Sequence, residues 1–179
     1  IEKQAERMRD LVNNLVVLTK MDEEKQTIIY KEFNFSDAVY DTTMAFEGLC
    51  KKNKKKLHID IDSDISMKGD ESEFRKLISI LLDNAVKYCD ENGNIYVRLK
   101  KEKHIVMSVR NSYKDVSNIE LNGLFDRFYR VDKARTRNGS YGLGLAIAQA
   151  IIDRHKGKIK VMNIDDKMIE FRSEEHTSE

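Results

Sequence analysis

The chain has no proline and only two cysteines. Without proline there is no proline-rich linker, and no low-complexity tract or internal repeat takes its place. Cys50 and Cys89 lie far apart in sequence, and neither belongs to a C-x-x-C pair. That excludes a disulfide framework and a cysteine metal site. Reduced, buried thiols in a cytoplasmic protein are expected instead. No apolar run approaches membrane-spanning length, and no signal-peptide pattern opens the sequence. A dominant charge sign is missing too: 32 Lys and Arg face 31 Asp and Glu, for a net charge of +1. No global field therefore points to nucleic acid as a partner. What remains is 179 residues, 40% hydrophobic and 35% charged, enough for one core or for one domain plus an appendage.

Two features bear on the ends. The first residue is Ile1, and a helical pattern is already under way there, which reads as a fragment of a longer chain. The last stretch, Arg172 to Glu179, is polar and patternless and resembles the translation of a sequencing-adapter DNA. Residues 172–179 are therefore expected to be a non-native tail, with the native sequence stopping near Phe171.

The most informative stretch runs from Asn138 to His155. Gly139, Gly142 and Gly144 sit where a loop feeds a helix, and Leu143, Leu145, Ala146, Ile147, Ala150 and Ile151 follow with helical spacing. Glycines at a helix start let backbone N–H groups approach a phosphate, and the helix N-terminus adds partial positive charge. The spacing and lysine of a P-loop are absent, and no expected strand leads into the motif. A glycine-rich turn before a buried helix is the plainer reading of the same residues.

Along the chain, Ile1, Gln4, Met8, Leu11, Leu15 and Leu18 form an a/d heptad seam, widened by Val12 and Val16. No helix of matching pattern occurs elsewhere in the chain. A partner upstream of Ile1, or in a second subunit, is expected to cover the seam; a helix lying on its own core is the alternative. Thr27 to Phe35 reads as a strand. Ser36 then caps a helix whose face is Ala38, Val39, Thr42, Ala45, Phe46 and Leu49. The basic run Lys51 to Lys56 suits a solvated helix end. Leu57, Ile59 and Ile61 mark a strand. Asp70 is an N-cap, with Glu73 placed to reach back, for a helix burying Phe74, Leu77, Ile78, Leu81, Leu82, Ala85 and Val86. Ile95 to Leu99 and Ile105 to Val109 alternate as a hairpin. A long irregular stretch then runs to Ser140, with a short helical piece at Leu124 to Tyr129. Lys158 to Met162 and Met168 to Phe171 close the pattern as strands. The order implies an α+β fold, a two-layer sandwich with helices on one face of a mixed sheet, preceded by the long heptad helix.

Asp83, Asn84, Lys87 and Tyr88 are polar groups at the end of a strongly apolar helix, and Asn84 and Lys87 share a face. An amide oxygen can ligate Mg²⁺ and a lysine can meet phosphate charge. Alone, these residues fit an amphipathic helix facing water. Together with the glycine motif they resemble the ATP-binding domain of sensor histidine kinases, in the ATPase superfamily shared with gyrase and MutL. The N-box matches Asp83 to Tyr88, the F-box Leu124 to Arg135, and the second glycine box Gly142 to Ala148. The resemblance covers residues 27–171 as the catalytic domain. It makes residues 1–22 the second helix of the dimerisation and phosphotransfer hairpin.

The resemblance implies a Bergerat-type site for ATP and Mg²⁺. Asn84 would hold the metal, and Asp83 would be the polarising base. Lys87 and Arg130 would contact phosphates, with Arg135 near the γ-phosphate, and Tyr88 would stack near the adenine. Gly139, Gly142, Leu143, Gly144 and Leu145 would form the phosphate turn. Phe125 and Phe128 would anchor the lid. It further implies a response regulator as partner, a homodimer through the heptad hairpin, and membrane attachment only through segments upstream of a cytoplasmic domain.

Departures stand beside the matches. Where the family has Asp-x-Gly-x-Gly, this sequence has Asn111-Ser112-Tyr113-Lys114-Asp115, so a neutral amide replaces the carboxylate that accepts the adenine amino group. Ile80 stands where the first N-box asparagine belongs. No histidine lies in an acceptor context, so the fragment is not expected to phosphorylate itself. Three functions compete. The first is the ATP-dependent catalytic part of a histidine kinase. The second is a degenerate nucleotide-binding scaffold that dimerises without kinase activity. The third is a related serine kinase, against which the heptad helix and the F-box argue.

Overall fold

A computed structural model of the chain describes residues 1–23, 28, 30–129 and 142–176. Its centre is a five-stranded mixed sheet of order β2-β4-β5-β7-β6. The strands are β2 (Lys56–Ile61), β4 (Asn94–Lys101), β5 (Ile105–Ser112), β6 (Lys158–Ile164) and β7 (Met168–Glu175). β2 runs parallel to β4, and the other neighbours are antiparallel. Ile95, Val97 and Leu99 of β4 and Ile105, Met107 and Val109 of β5 point to the buried face. Tyr96 and Arg98 point away from it.

Helices cover that buried face. The central one is α4 (Glu71–Tyr88), whose buried stripe is Phe74, Leu77, Ile78, Leu81, Leu82, Ala85 and Val86. At about 1.5–3 kcal/mol per large buried side chain, this stripe far outweighs an N-cap worth about 1 kcal/mol. The stripe decides where the helix lies, and the cap decides where it starts. Asp70 Oδ1 accepts from the Ser72 hydroxyl (2.6 Å) and from the Ser72 and Glu73 N–H groups (3.0 and 3.3 Å). The Ser72 hydroxyl bond, then the two backbone bonds, hold the Asp70 carboxyl below the usual carboxylate range.

α5 (Gly144–Arg154) packs antiparallel beside α4, and α2 (Phe35–Ala45) lies on the other side. The far end of the α4–α5 pair is locked. His155 Nδ1 donates to Ile151 O (2.7 Å), and its Nε2 accepts from the Asp70 N–H (3.1 Å). The ring packs 4.4 Å from Phe74, and Arg154 pairs with Glu73 at 3.2 Å. A Cβ on Gly69 would meet this histidine at 2.8 Å. Glu73 therefore spans to α5 rather than reaching back to its own N-cap, because a half-buried cation outcompetes a backbone N–H.

Several boundaries differ from expectation. The strand expected over Thr27 to Phe35 is β1 (Lys31–Asn34), paired with β3 (Ser66–Gly69); Thr27 and Ile29 lie outside the described residues. Phe35 opens α2 because Asn34, not Ser36, accepts the Asp37 N–H (2.9 Å). Ser36 instead bonds Asp62 O and the Ile65 N–H (2.6 and 2.9 Å). The apolar face from Ala38 to Leu49 breaks at Phe46, where α3 (Glu47–Lys52) begins. The basic run is not wholly solvated: Lys55 Nζ donates to Cys89 O and Asp90 O (2.7 and 2.8 Å), just beyond the α4 C-terminus. The short helix expected at Leu124 to Tyr129 is a 3₁₀ turn at Leu121–Gly123 followed by turns. Both cysteines are buried, as expected, and burial pushes their thiols up.

β7 does not stop at Phe171. Residues Arg172 to Glu175 continue its ladder with β5, and with β6 as far as Glu174. Their side chains fit less well than their backbone. Arg172 Nε, Ser173 Oγ and Glu175 Oε1 are buried without a hydrogen bond, and burial pushes the Glu175 carboxyl up to about 8.

The heptad helix α1 (Glu2–Glu23) divides its apolar stripe. Leu18 is buried, and Leu11, Leu15, Val17 and Met21 pack on the domain's own core beside α5. Met8, Val12 and Val16 stay exposed, at 60, 51 and 46%. The seam expected to lack any partner in the chain thus finds one on its C-terminal half, because α5 presents an apolar outer face. Asp22 pairs with Arg127 at 2.9 Å, tying the end of α1 to the turns after Leu124. No helix among the described residues is long and apolar enough to cross a membrane.

Candidate functional site

A cavity of about 470 Å³ opens between α4, the N-terminus of α5, the β5–β7 end of the sheet and the polar side of α1. α4 contributes Lys76, Ile80, Asp83, Asn84, Lys87 and Tyr88. Steps of three and four keep these residues on one side of the helix. Gly142, Leu143, Gly144 and Leu145 form the facing wall. The sheet end supplies an apolar floor in Ile169 and Phe171, with Tyr113 beside them.

The α5 N-terminus is built to meet an anion. Leu143 at the cap position makes no side-chain cap bond, so the first N–H groups of the helix receive no cap. A Cβ on Gly144 would meet only Ile80 Cγ2, at 3.4 Å, so the approach is open. Gly142 is a glycine for another reason. Its φ is +70°, and a Cβ would strike Tyr129 O at 2.5 Å. It lets the chain turn tightly against the Phe128–Tyr129 backbone, where Phe128 N–H donates to Gly142 O (3.0 Å). The two glycines therefore divide the work of folding the turn and leaving it accessible.

Asp83 and Lys87 form an ion pair at 2.8 Å, one helical turn apart. Lys87 thus offers the cavity a cation already shared with a carboxylate. Asn84 lines the cavity with a neutral amide between them. Among the described residues, no cluster of three or more His, Cys, Asp or Glu is placed to hold a metal. One amide and one carboxylate fit Mg²⁺ rather than a caged ion, because Mg²⁺ keeps waters and takes substrate phosphates as ligands.

Asn111 is buried, at 1% exposure, and its Nδ2 donates to Ser112 O (3.0 Å). The β5–β7 register sets it beside Ile169, which lines the cavity as Asn111 does not. Phe125 meets Phe171 edge-on at 5.9 Å, whereas Phe128 is 56% exposed. Arg130, Arg135 and Gly139 lie outside the described residues. Sequence reading missed Lys76 and the whole α1 wall of Asp10, Asn13 and Asn14. Lys76 was within reach of it, since it continues the Ile80–Asn84 spacing upstream. The α1 residues were not, because they arrive through tertiary packing.

This geometry agrees with comparison to known proteins. The sequence profile described as "Histidine kinase-, DNA gyrase B-, and HSP90-like ATPase" matches residues 69–178. The chain belongs to this ATPase family. It carries the family's ATP-binding domain, with the α4 stripe and the α5 N-terminus inside the matched region. Among curated relatives, the sensor protein DltS of Streptococcus agalactiae is 30% identical over 94% of this chain and 43% of its own length. The sensor histidine kinase RppB of Synechocystis is 32% identical over 90% of this chain and 36% of its own. The chain thus spans less than half of the relatives it matches. Among solved structures, the Acinetobacter baumannii histidine kinase AdeS superposes with a TM-score of 0.80 at 22% identity, covering 99% of this chain and 82% of that one. That likeness supports the α+β fold with its leading helix.

Proposed function

We propose that this chain is the nucleotide-binding part of an ATP-dependent protein-histidine kinase of a two-component system. One observation carries the reading: a single cavity holds Asp83, Asn84, Lys87 and Tyr88 opposite the uncapped N-terminus of α5. Tyr88, Tyr113, Ile169 and Phe171 offer a flat apolar end for a base. The α5 N–H groups and Lys87 offer positive charge for phosphates. Asn84, with a carboxylate oxygen of Asp83, would hold Mg²⁺, which when bound neutralises charge on the transferring phosphate. Phosphoryl transfer asks a protein mainly for position and charge, and these residues supply both.

Arg130 and Arg135 are further phosphate contacts in this reading, with Gly139 in the turn. The acceptor histidine belongs to another segment, so the fragment alone is not expected to phosphorylate itself. A response regulator is the downstream partner. The exposed Met8, Val12 and Val16 support a homodimer through α1. The domain works in the cytoplasm, with any membrane anchor elsewhere in the whole protein.

Asn111 favours a second reading. Its Nδ2 donates to Ser112 O and the residue stays out of the cavity wall, which suits a scaffold that binds nucleotide weakly and transfers nothing. Calorimetry tests the nucleotide site, and a transfer assay separates the two readings. ATP should bind in Mg²⁺, and Asn84→Ala should weaken that binding about tenfold in Mg²⁺ but little in EDTA. Radiolabelled ATP with an added acceptor hairpin should then give an acid-labile phosphate on the hairpin. Binding without transfer would favour the scaffold.

A further inference from the structure

Lys76 lines the cavity and has no part in the site as described so far. Its surroundings give it one. Lys76, Ile80, Asn84 and Lys87 form one stripe of α4. The base end of the cavity lies at the C-terminus of α4, where Tyr88 is the last helical residue. The strand leading to Tyr113 is held there by Asp90 N–H on Ser112 O (3.0 Å) and Lys114 N–H on Asp90 Oδ2 (2.8 Å). The N-terminus of α5 stands level with Ile80, whose Cγ2 would touch a Gly144 Cβ at 3.4 Å. A polyphosphate that leaves the base end and crosses the α5 N-terminus is therefore directed toward Lys76, one turn further along α4.

The two lysines of the stripe differ in charge available. Lys87 is held by Asp83 at 2.8 Å. Lys76 has no ion pair or hydrogen bond among the described residues. Ile80 between them offers no ligand. Across the cavity, α1 presents Asp10, Asn13 and Asn14. No ion pair joins Asp10 to Lys76, so among the described residues lining this end of the cavity Lys76 is the cation.

We propose that Lys76 binds the terminal phosphate of the nucleotide and contributes to separating ATP from ADP at this site. The inference rests on the nucleotide-binding reading above and adds a specificity residue to it. A cation reaching only the third phosphate contributes nothing to a diphosphate.

The test titrates the native chain, Lys76→Gln and Lys76→Arg with ATP and with ADP in Mg²⁺, by calorimetry, with circular dichroism to check the fold. The native chain should prefer ATP. Lys76→Gln should lose about fivefold or more for ATP and stay within about twofold for ADP. Lys76→Arg should keep the preference. Lys76→Met, which retains the apolar stem, carries the same expectation if the glutamine variant does not fold. Equal losses for both nucleotides, or no loss for ATP, would overturn the assignment while leaving the nucleotide site intact. A native chain that binds neither nucleotide would overturn the site itself and this assignment with it.

Discussion

The two ends of the α4–α5 pair are made of similar residues and do opposite things. At the closed end, Asp70 bonds His155 and Glu73 pairs with Arg154 across the interface, leaving only Glu73 Oε2 of that carboxylate buried without a hydrogen bond. At the open end, Lys76, Asn84 and the first N–H groups of α5 face a cavity instead. The difference is where the polar groups find partners. Buried polar groups that bond within the protein stabilise it, and those left facing a cavity are available to a ligand. One helix pair can thus be rigid at one end and receptive at the other. Substitutions at the closed end should cost stability, and those at the open end should cost affinity.

The largest effect should come from His155→Ala. It strands the Asp70 N–H and empties the space beside Phe74. A loss of roughly 3 kcal/mol in urea unfolding is expected, with ATP affinity of the folded fraction unchanged. A fall in affinity matching the fall in stability would erase the distinction between the ends. Lys87→Ala should come next, with the opposite signature. ATP binding by calorimetry should weaken about tenfold. Stability should shift by under about 1 kcal/mol, because the Asp83 pair is partly exposed and solvent-screened.

Asp70→Ala should be the smallest, about 1 kcal/mol at neutral pH. Its pH dependence sharpens the comparison. The folded carboxyl titrates below its ordinary value of 3.8, so the stability it contributes is present above that value and is lost as pH falls through the lower folded one. Urea midpoints of native and Asp70→Ala chains should therefore converge in strong acid. A gap that persists there would assign the effect to packing rather than to the charged cap.

Much of this was legible in the sequence, for physical reasons that name themselves. α4 was readable because its apolar period runs from Phe74 to Val86 behind an aspartate cap. The sheet was readable because β4 and β5 alternate cleanly. The α4 half of the site followed, since residues on one helix carry their geometry in their spacing. β3 was not readable, because Ser66-Met67-Lys68-Gly69 has no β-branched residue and pairs only through β1. Phe35 looked like a strand residue, yet the Asn34 side chain starts a helix at it. Glu73 illustrates the general limit. Its local cap pattern was correct in spacing, and a partner eighty residues away took the side chain.

Asp10, Asn13 and Asn14 put α1 inside the nucleotide cavity while Leu11, Leu15 and Leu18 hold it against the domain. Helix docking and nucleotide binding are therefore linked equilibria. By reciprocity, the factor by which bound nucleotide favours docked α1 equals the factor by which docking raises nucleotide affinity. A signal that pulls α1 off the domain must work against the nucleotide by that same factor, and a change of nucleotide state is felt by the helix with equal strength.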